Sequence, residues 1–504
     1  MTVSALLQAL ARAMPAVDVP ARTAGNAALA SEARGVTHDS RQARRGWVFV
    51  ALRGLNADGI AFAPQAIANG AAAVVAERPA DSPTDTPWIV VPDARRALAL
   101  LAAEFHGHPS RQMRVVGITG TNGKTTTSYL LAAIFEAAGT RCGVMGTVAY
   151  RIGNREVHAT RTTPEAPEVQ GLLRQMVEAG CGACVMEVSS HALALARVDG
   201  MHFAAGVFTN LTRDHLDFHS DMEDYFAAKR RLFEMLTYGT PAVVNLDDPR
   251  GVALLEVATR PVTYAINRSA DVSPGPLSYS LEGLTFEVRT PQGTANVRSR
   301  LVGRPNVYNI LAAAGTAVAL GVPLDAIERG LAGLEGVPGR FEMASGADDD
   351  ITVIVDYAHT DDALRNLLET ARPLAARRLI TVFGCGGDRD RSKRPLMGMV
   401  AARLSDVVVI TSDNPRSEDP VRIIEEASRG AQPELRSGRT ELLTIVDRKE
   451  AIATAVKRAQ AGDVVLIAGK GHEKYQEIGG RVLPFDDVAV ARQALASRRV
   501  SGVS

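Results

Sequence analysis

The 504-residue chain predicts an α/β fold in three domains: a small N-terminal α/β domain over 1–108, a central parallel sheet with an antiparallel addition over 109–336, and a C-terminal Rossmann-like, doubly wound sheet over 337–504. Three observations predict it. The length suits about three domains at roughly 100 to 200 residues each. Short β-branched apolar runs recur, each followed by a helix-like stretch, as parallel sheets require. Polar, Gly- and Pro-containing breaks fall at GHPSRQ (107–112) and GVPGR (336–340).

In the first domain the runs WVFVA (47–51), AAAVVA (71–76) and WIVV (88–91) read as strands in an Ala-rich setting. In the second, MRVVGIT (113–119) leads into a Gly-rich loop and a helix beginning near Lys124. The runs ACVMEV, AAGVFT and PAVVNL continue that sheet, the alternating LSYSLEG and LTFEVRT predict antiparallel strands, and a helix after PNVYNI closes the domain. In the third, ITVIVD, LITVF, DVVVIT, ELLTIV and DVVLIA each precede a helical stretch. Ligands of such a sheet gather at the carboxyl ends of its strands. There lie Asp356 to His359, Gly384 to Arg389, Asp413 to Arg416 and Gly469 to Glu473.

Composition excludes several classes of function. Lys plus Arg and Asp plus Glu are 56 each, so no global field marks a nucleic-acid or membrane-surface binder, and charged ligands must be held locally. The first fifteen residues lack the pattern of a secretory signal, and no run of about 18 apolar residues predicts a membrane span, so a cytoplasmic protein is expected. The four cysteines are too few and irregular for a disulfide framework. Cys181 and Cys184 form a C-x-x-C pair without a second Cys/His pair nearby, which makes them small core residues rather than a zinc half-site.

The segment Gly117 to Thr126 follows an apolar strand and opens a helix, the setting of a nucleotide loop. Gly120, Thr121, Asn122 and Gly123 bring backbone N–H groups toward phosphate oxygens, Lys124 reaches the β/γ oxygens, and Thr125, followed by Thr126, offers a hydroxyl to Mg²⁺. Ile118 stands where the common pattern has a glycine. The loop predicts ATP binding and a central domain resembling a P-loop ATPase. Such loops also serve motors, switches and kinases, so the chemistry must come from elsewhere in the chain.

The loop (119–126), Glu187 to Leu193 (EVSSHAL) and Asn210 to Asp217 (NLTRDHLD), in order between His38-Asp39-Ser40-Arg41 and Gly469-Lys470-Gly471-His472-Glu473, resemble the Mur ligases over all three domains. The resemblance implies that the γ-phosphate of ATP activates a substrate carboxylate as an acyl phosphate, which an amine then attacks. It implies UDP-N-acetylmuramoyl-L-alanyl-D-glutamate and meso-diaminopimelate as substrates in peptidoglycan synthesis, ATP and Mg²⁺ as cofactors, and a monomer with no nucleic-acid or membrane partner. Lys124, Glu187, His215 and Lys229 become the catalytic set. Thr125, Glu187 and His215 become metal ligands, although alone Glu187 reads as a capping carboxylate and His215 as a hydrogen-bonded histidine. Lys229 matches a lysine carried as a carbamate, whereas its own surroundings in sequence suggest an ordinary solvated helix residue.

The same resemblance assigns Asn306, Asn309, Arg340, Asp356 and Tyr357 to ATP. It gives His38, Ser40, Leu55, Asn56, Ala57, Thr162, Thr163, Ser189 and Arg197 to the UDP substrate, with Leu195 standing where some relatives have a polar contact. Arg389, Asp413, Asn414, Pro415, Arg416, Gly469 and Glu473 fall to diaminopimelate. Arg416 suits a distal carboxylate and Glu473, with Asn414 or the Gly469 carbonyl, a distal ammonium. An L-lysine-adding member, a folylpolyglutamate synthetase, a transport or mechanical ATPase and a non-catalytic scaffold are the alternatives. About a hundred residues before the loop, carrying the His38 motif, favour the nucleotide-sugar substrate over the folate one.

Overall fold

In a computed structural model, residues 1–17, 27–54, 57–436 and 438–501 are described. The N-terminal sheet has four parallel strands in sequence order, Gly35–Thr37, Trp47–Val50, Ala73–Ala76 and Trp88–Val90. Side-chain alternation sends Val48 and Val50 to one core and Phe49 to another, so each face of this small sheet is covered.

The central sheet has eight strands, with Arg114–Thr119 flanked by Ala183–Glu187 and Ala205–Phe208. Both neighbours run parallel to it, so three strand ends open on the loop before helix Lys124–Ala137. Alternation again divides the packing: Val116 and Ile118 meet that helix, while Val115 meets Leu172 and Leu173 of helix Ala166–Glu178. Cys181 and Cys184 are buried in the second cluster, as core residues should be. The antiparallel addition is present, with Gly283–Thr290 pairing Ser278–Ser280 and Gly293–Ser299. The closing helix differs from expectation. It begins at Arg304, with Pro305 at its first turn, so PNVYNI lies inside it, and a further helix, Leu324–Gly333, follows.

The C-terminal sheet runs, across its parallel part, Thr352–Asp356, Val464–Ala468, Leu379–Cys385, Val407–Ser412, Glu441–Thr444. Leu466 faces the core containing Leu364, Met397 and Ile423, and Val465 the core containing Ile452 and Leu495. Helices therefore cover both faces, a doubly wound arrangement. A hairpin, Tyr475–Ile478 with Arg481–Pro484, stands beyond the carboxyl edge. No helix among the described residues is long and apolar enough to cross a membrane.

Candidate active site

The loop after Arg114–Thr119 is shaped by what it touches. A Cβ on Gly120 (φ +147°) would lie 1.9 Å from Thr209 Oγ1, and one on Gly123 (φ +88°) 2.4 Å from Asn309 Oδ1. Both positions therefore require glycine. Gly117 and Ile118 belong to the strand, and Ile118 is fully buried, so the departure from the usual glycine spacing falls outside the loop. Gly123 caps helix Lys124–Ala137 without a side-chain bond, leaving first-turn N–H groups for an anion. The Asn210 carbonyl accepts from Thr121 N at 2.8 Å, and Asn210 Oδ1 from Asn122 N at 2.9 Å. Thr126 is buried in the first turn.

Lys124 Nζ folds back onto the carbonyls of Gly120 (2.9 Å) and Thr121 (2.7 Å). Lys229, on helix Met222–Glu234, donates to the same Gly120 carbonyl at 2.8 Å and sits 4.4 Å from the centre of the Tyr225 ring. At 1% exposure it is not the solvated residue its sequence surroundings suggested. Burial, then repulsion from Lys124, push its pKa well below the usual lysine value. The unprotonated amine this favours is the form able to add carbon dioxide.

Glu187 ends its strand against the loop. Its Oε2 accepts from Thr125 Oγ1 and Thr147 Oγ1, each at 3.0 Å, and its Oε1 from Thr147 N at 2.8 Å. Hydroxyl and carboxylate oxygens side by side fit a hard divalent cation such as Mg²⁺. His215 has a left-handed backbone (φ +54°) and lies with its ring 4.9 Å from that of His191. Burial lowers its pKa to about 3, so the imidazole is neutral and able to ligate. Among the described residues no three His, Cys, Asp or Glu side chains gather closely enough to hold a metal by themselves.

At the hinge, Arg340 Nη2 donates to Thr125 Oγ1 at 3.2 Å while its guanidinium lies 4.5 Å from the centre of the Tyr357 ring. The other ring neighbours of Tyr357 are His359 and His472, at 4.7 and 4.9 Å. Asp356 accepts from Phe341 N (2.7 Å) and Ala358 N (2.8 Å), so both of its oxygens hold the hinge. Asn309 Nδ2 donates to Asn306 Oδ1 at 2.9 Å beneath the loop. The C-terminal domain closes on the loop through Asn122 Nδ2 to Asp362 Oδ2 (3.2 Å), His359 to Asp214 (3.9 Å) and Arg213 to Asp390 (3.6 Å), with Arg213 also bonded to Ser392.

A second cleft lies toward the N-terminal domain. His38 is exposed there, yet desolvation by the protein beside its ring outweighs the carboxylates of Glu165 and Asp39, so its pKa is lowered. Ser40 is buried, its hydroxyl on Gln65 Oε1 at 2.7 Å, and Ala57 is exposed with its carbonyl accepting from Gly54 N. Leu55 and Asn56 lie outside the described residues. Thr162 Oγ1 meets Thr147 Oγ1 at 3.0 Å, and Thr163 Oγ1 donates to the Glu187 carbonyl at 2.8 Å. Ser189 caps the short helix Ser190–Ala194, whose C-cap is Leu195. Arg197 binds the Thr163 carbonyl at 3.0 Å and Glu165 at 2.7 Å, while its buried Nε has no partner among the described residues. Arg197, Thr163 and Glu187 thus join this cleft to the nucleotide loop.

The third group sits at the carboxyl edge of the C-terminal sheet. Asn414 Nδ2 donates to Glu473 Oε2 at 2.9 Å, and Asp413 is 3.6 Å from Lys470 Nζ. Gly469 (φ +118°) is needed there because a Cβ would lie 2.5 Å from Asp413 Oδ2. Arg416, left-handed at φ +53°, gives Nη1 to the Gly387 carbonyl (2.7 Å) and forms an ion pair with Glu477, its Nε 3.2 Å from the carboxylate. Its Nη2 has no hydrogen bond among the described residues. The Pro415 carbonyl would be 1.9 Å from a Cβ on Gly387, which locks the two loops together. Arg389 is exposed and bonds only the adjacent Asp388 carbonyl, leaving its guanidinium directed to no other described partner.

Sequence reasoning did not single out Lys470, Asp214, His359, Asp362, Thr147, Arg161 or Glu165. Lys470, Asp214 and His359 lie inside the motifs Gly469 to Glu473, Asn210 to Asp217 and Asp356 to His359, and Glu165 inside TTPEA, which was the available signal. Asp362 meets Asn122 across a domain boundary, Thr147 meets Glu187 and Thr162 within the central domain, and Arg161 pairs with Glu165 four residues on; no motif marked Asp362, Thr147 or Arg161.

Three family profiles match in order: "Mur ligase family, catalytic domain" over 32–106, "Mur ligase middle domain" over 118–317 and "Mur ligase, glutamate ligase domain" over 339–471. The chain is 50% identical over 469 residues to a UDP-N-acetylmuramoyl-L-alanyl-D-glutamate–2,6-diaminopimelate ligase of Gloeobacter violaceus, covering 93% of this chain and 95% of that one. It is 48% identical over 500 residues to the protein of the same description from Geobacter metallireducens, covering 95% and 97%. A solved structure of a UDP-N-acetylmuramoyl-L-alanyl-D-glutamate–2,6-diaminopimelate ligase is 38% identical with a TM-score of 0.67, covering 92% of this chain and 95% of its own. With a loop built for nucleotide phosphates and matches spanning nearly its whole length, the chain belongs to the Mur ligase family of ATP-dependent ligases.

Proposed function

We propose that this enzyme joins meso-2,6-diaminopimelate to UDP-N-acetylmuramoyl-L-alanyl-D-glutamate, consuming ATP and releasing ADP and phosphate. The observation that carries the reading is the linkage of three residue groups around the nucleotide loop. Thr125 of the loop bonds Glu187, which through Thr163 reaches Arg197, and Thr125 also bonds Arg340, whose neighbour Gly339 packs on the loop that carries Glu473.

Phosphoryl transfer between two anions needs fixed cations and in-line placement. Lys124 and the first turn of its helix hold the β/γ phosphates, and Arg340, already on Thr125, lies beside them. Asn306, Asn309 and Tyr357 form the base and ribose side, with Asp356 fixing that wall. Thr125, Glu187 and His215 are the residues that would hold Mg²⁺, which supplies charge neutralisation at the phosphate oxygens. Lys229, carbamylated, turns a second cation into an anion facing Lys124. Arg197 and Thr163 position the UDP substrate together with Ser189, Thr162, His38, Ser40, Leu55, Asn56 and Ala57. Once the substrate carboxylate carries the phosphoryl group, the amine attacks its carbonyl carbon and phosphate leaves.

In the amino-acid pocket, Arg416 Nη2 takes the distal carboxylate and Glu473 the distal ammonium, with Asp413, Asn414, Pro415 and Gly469 shaping the wall and Arg389 at its mouth. L-Lysine has no distal carboxylate and leaves Arg416 unpaired. The test is ADP release from ATP and the UDP-dipeptide with a panel of amino acids. Release that depends on meso-diaminopimelate supports the reading, and release without any amino acid, or equal kcat/KM for L-lysine, overturns it.

A further inference from the structure

Beneath the amino-acid pocket lies a lysine for which the reaction as described has no use. Lys470 is fully buried, and its Nζ donates to Asn414 Oδ1 at 2.9 Å and to Glu473 Oε2 at 3.1 Å, with Asp413 Oδ1 3.6 Å away and the Tyr475 ring centre 5.4 Å away. Asn414 Oδ1 also accepts from Glu477 N at 3.0 Å, so its acceptor capacity is filled and its amide has one orientation, Nδ2 toward Glu473. Glu473 Oε2 therefore receives two donors, while its Oε1 has none among the described residues.

We infer that Lys470 is a positioning residue for amino-acid recognition: its buried ammonium fixes Asn414 and Glu473 together, leaving Glu473 Oε1 as the acceptor for the distal ammonium. This rests on the amino-acid reading above. The charges explain why a lysine is needed under a site that binds a cation. Asp413 and Glu473 lie close together in a buried pocket, and one cation between them lets both stay ionised. Arg448 faces Glu473 too, but Asp487 engages it at 2.7 Å. The other groups facing Glu473 are the phenols of Tyr357 and Tyr475. Burial and then Asp413 raise the Glu473 pKa, and Lys470 opposes both. Without Lys470, Glu473 takes up a proton more readily and loses one of the two donors on Oε2, and Asn414 Oδ1 is held by Glu477 N alone.

The test compares Lys470→Met, Lys470→Gln and Lys470→Arg with the parent, using ATP, the UDP-dipeptide and meso-diaminopimelate from pH 6 to 9. In the uncharged variants KM for the amino acid should rise about 10-fold or more, the scale of losing a charged hydrogen bond. KM for ATP should stay within about twofold, and Lys470→Arg should recover most of the difference. The acid-side rise in KM should also move to higher pH, a change that simple loosening of the fold does not produce. An amino-acid KM within about twofold of the parent in whichever uncharged variant folds overturns the inference, as does an equal loss in KM for ATP. A parent that releases no ADP with meso-diaminopimelate refutes the functional reading instead, and Lys470 is then judged by the same criteria on the amino acid that does turn over.

Discussion

Lys124 and Lys229 donate to one oxygen, the carbonyl of Gly120, at 2.9 and 2.8 Å. Two ammonium groups so placed repel each other inside a buried site, and relief comes when one becomes neutral or changes sign. Carbamylation of Lys229 does the latter. Lys229→Ala should lose most ligase activity and regain part of it with acetate or another short carboxylic acid, which restores an anion near Lys124. Full activity without the acid, or an intact mass showing only unmodified lysine in active enzyme, would count against the modification.

Arg416 is pinned by Glu477 and Gly387, so removing its guanidinium should affect choice of amino acid more than nucleotide binding. Arg416→Ala should lose most of the preference for meso-diaminopimelate over L-lysine, about 10- to 100-fold in the kcat/KM ratio, while KM for ATP stays near the parent value. Competition between the two amino acids in one reaction reads this directly.

His191 and His472 give stability a pH dependence. Burial and then the neighbouring His219 lower His191 to about 4, and burial and then Arg340 lower His472 to about 3. Both are neutral in the folded protein at pH values where the unfolded chain, at an ordinary histidine pKa near 6.5, already binds protons. Their stabilisation is complete above about pH 6.5 and is lost as pH falls toward 4 and 3. The urea midpoint should drop between pH 7.5 and 5. In His472→Phe, which keeps a ring against Tyr357, the drop should be smaller, and an identical slope would refute the assignment.

Gly339 (φ +67°) lies at the hinge, where a Cβ would come 2.1 Å from His472 N. Gly339→Ala should therefore lower the melting temperature and weaken ADP and amino-acid binding together. A variant that weakens only one ligand would show that the hinge and the GKGHE loop move independently.

Much of this could be read from the chain. The strand–loop–helix at Lys124 and the alternation in LTFEVRT are local patterns, and both formed as expected. Lys229 was legible in principle. Tyr225 and Phe226 precede it by four and three residues, and Leu232 and Phe233 follow by three and four, so it falls on the buried stripe of its helix. Composition around it says "solvated"; spacing says "inside". The cross-domain pairs Asp214–His359 and Asn122–Asp362 had no such signal, since they depend on how two separately folded units meet. Left-handed backbone at His215, Phe341, Asp388 and Arg416 was equally hidden, because none is glycine.

The Gly339–His472 junction has a thermodynamic corollary. Arg340 follows Gly339 and reaches the nucleotide loop, and Glu473 follows His472 and bonds Asn414 in the proposed amino-acid pocket. One close backbone contact thus lies between the two proposed sites. A nucleotide that favours the closed arrangement raises amino-acid affinity by some factor, and reciprocity requires the amino acid to raise nucleotide affinity by that same factor. Measuring either coupling fixes the other, and a non-hydrolysable nucleotide is enough to measure both.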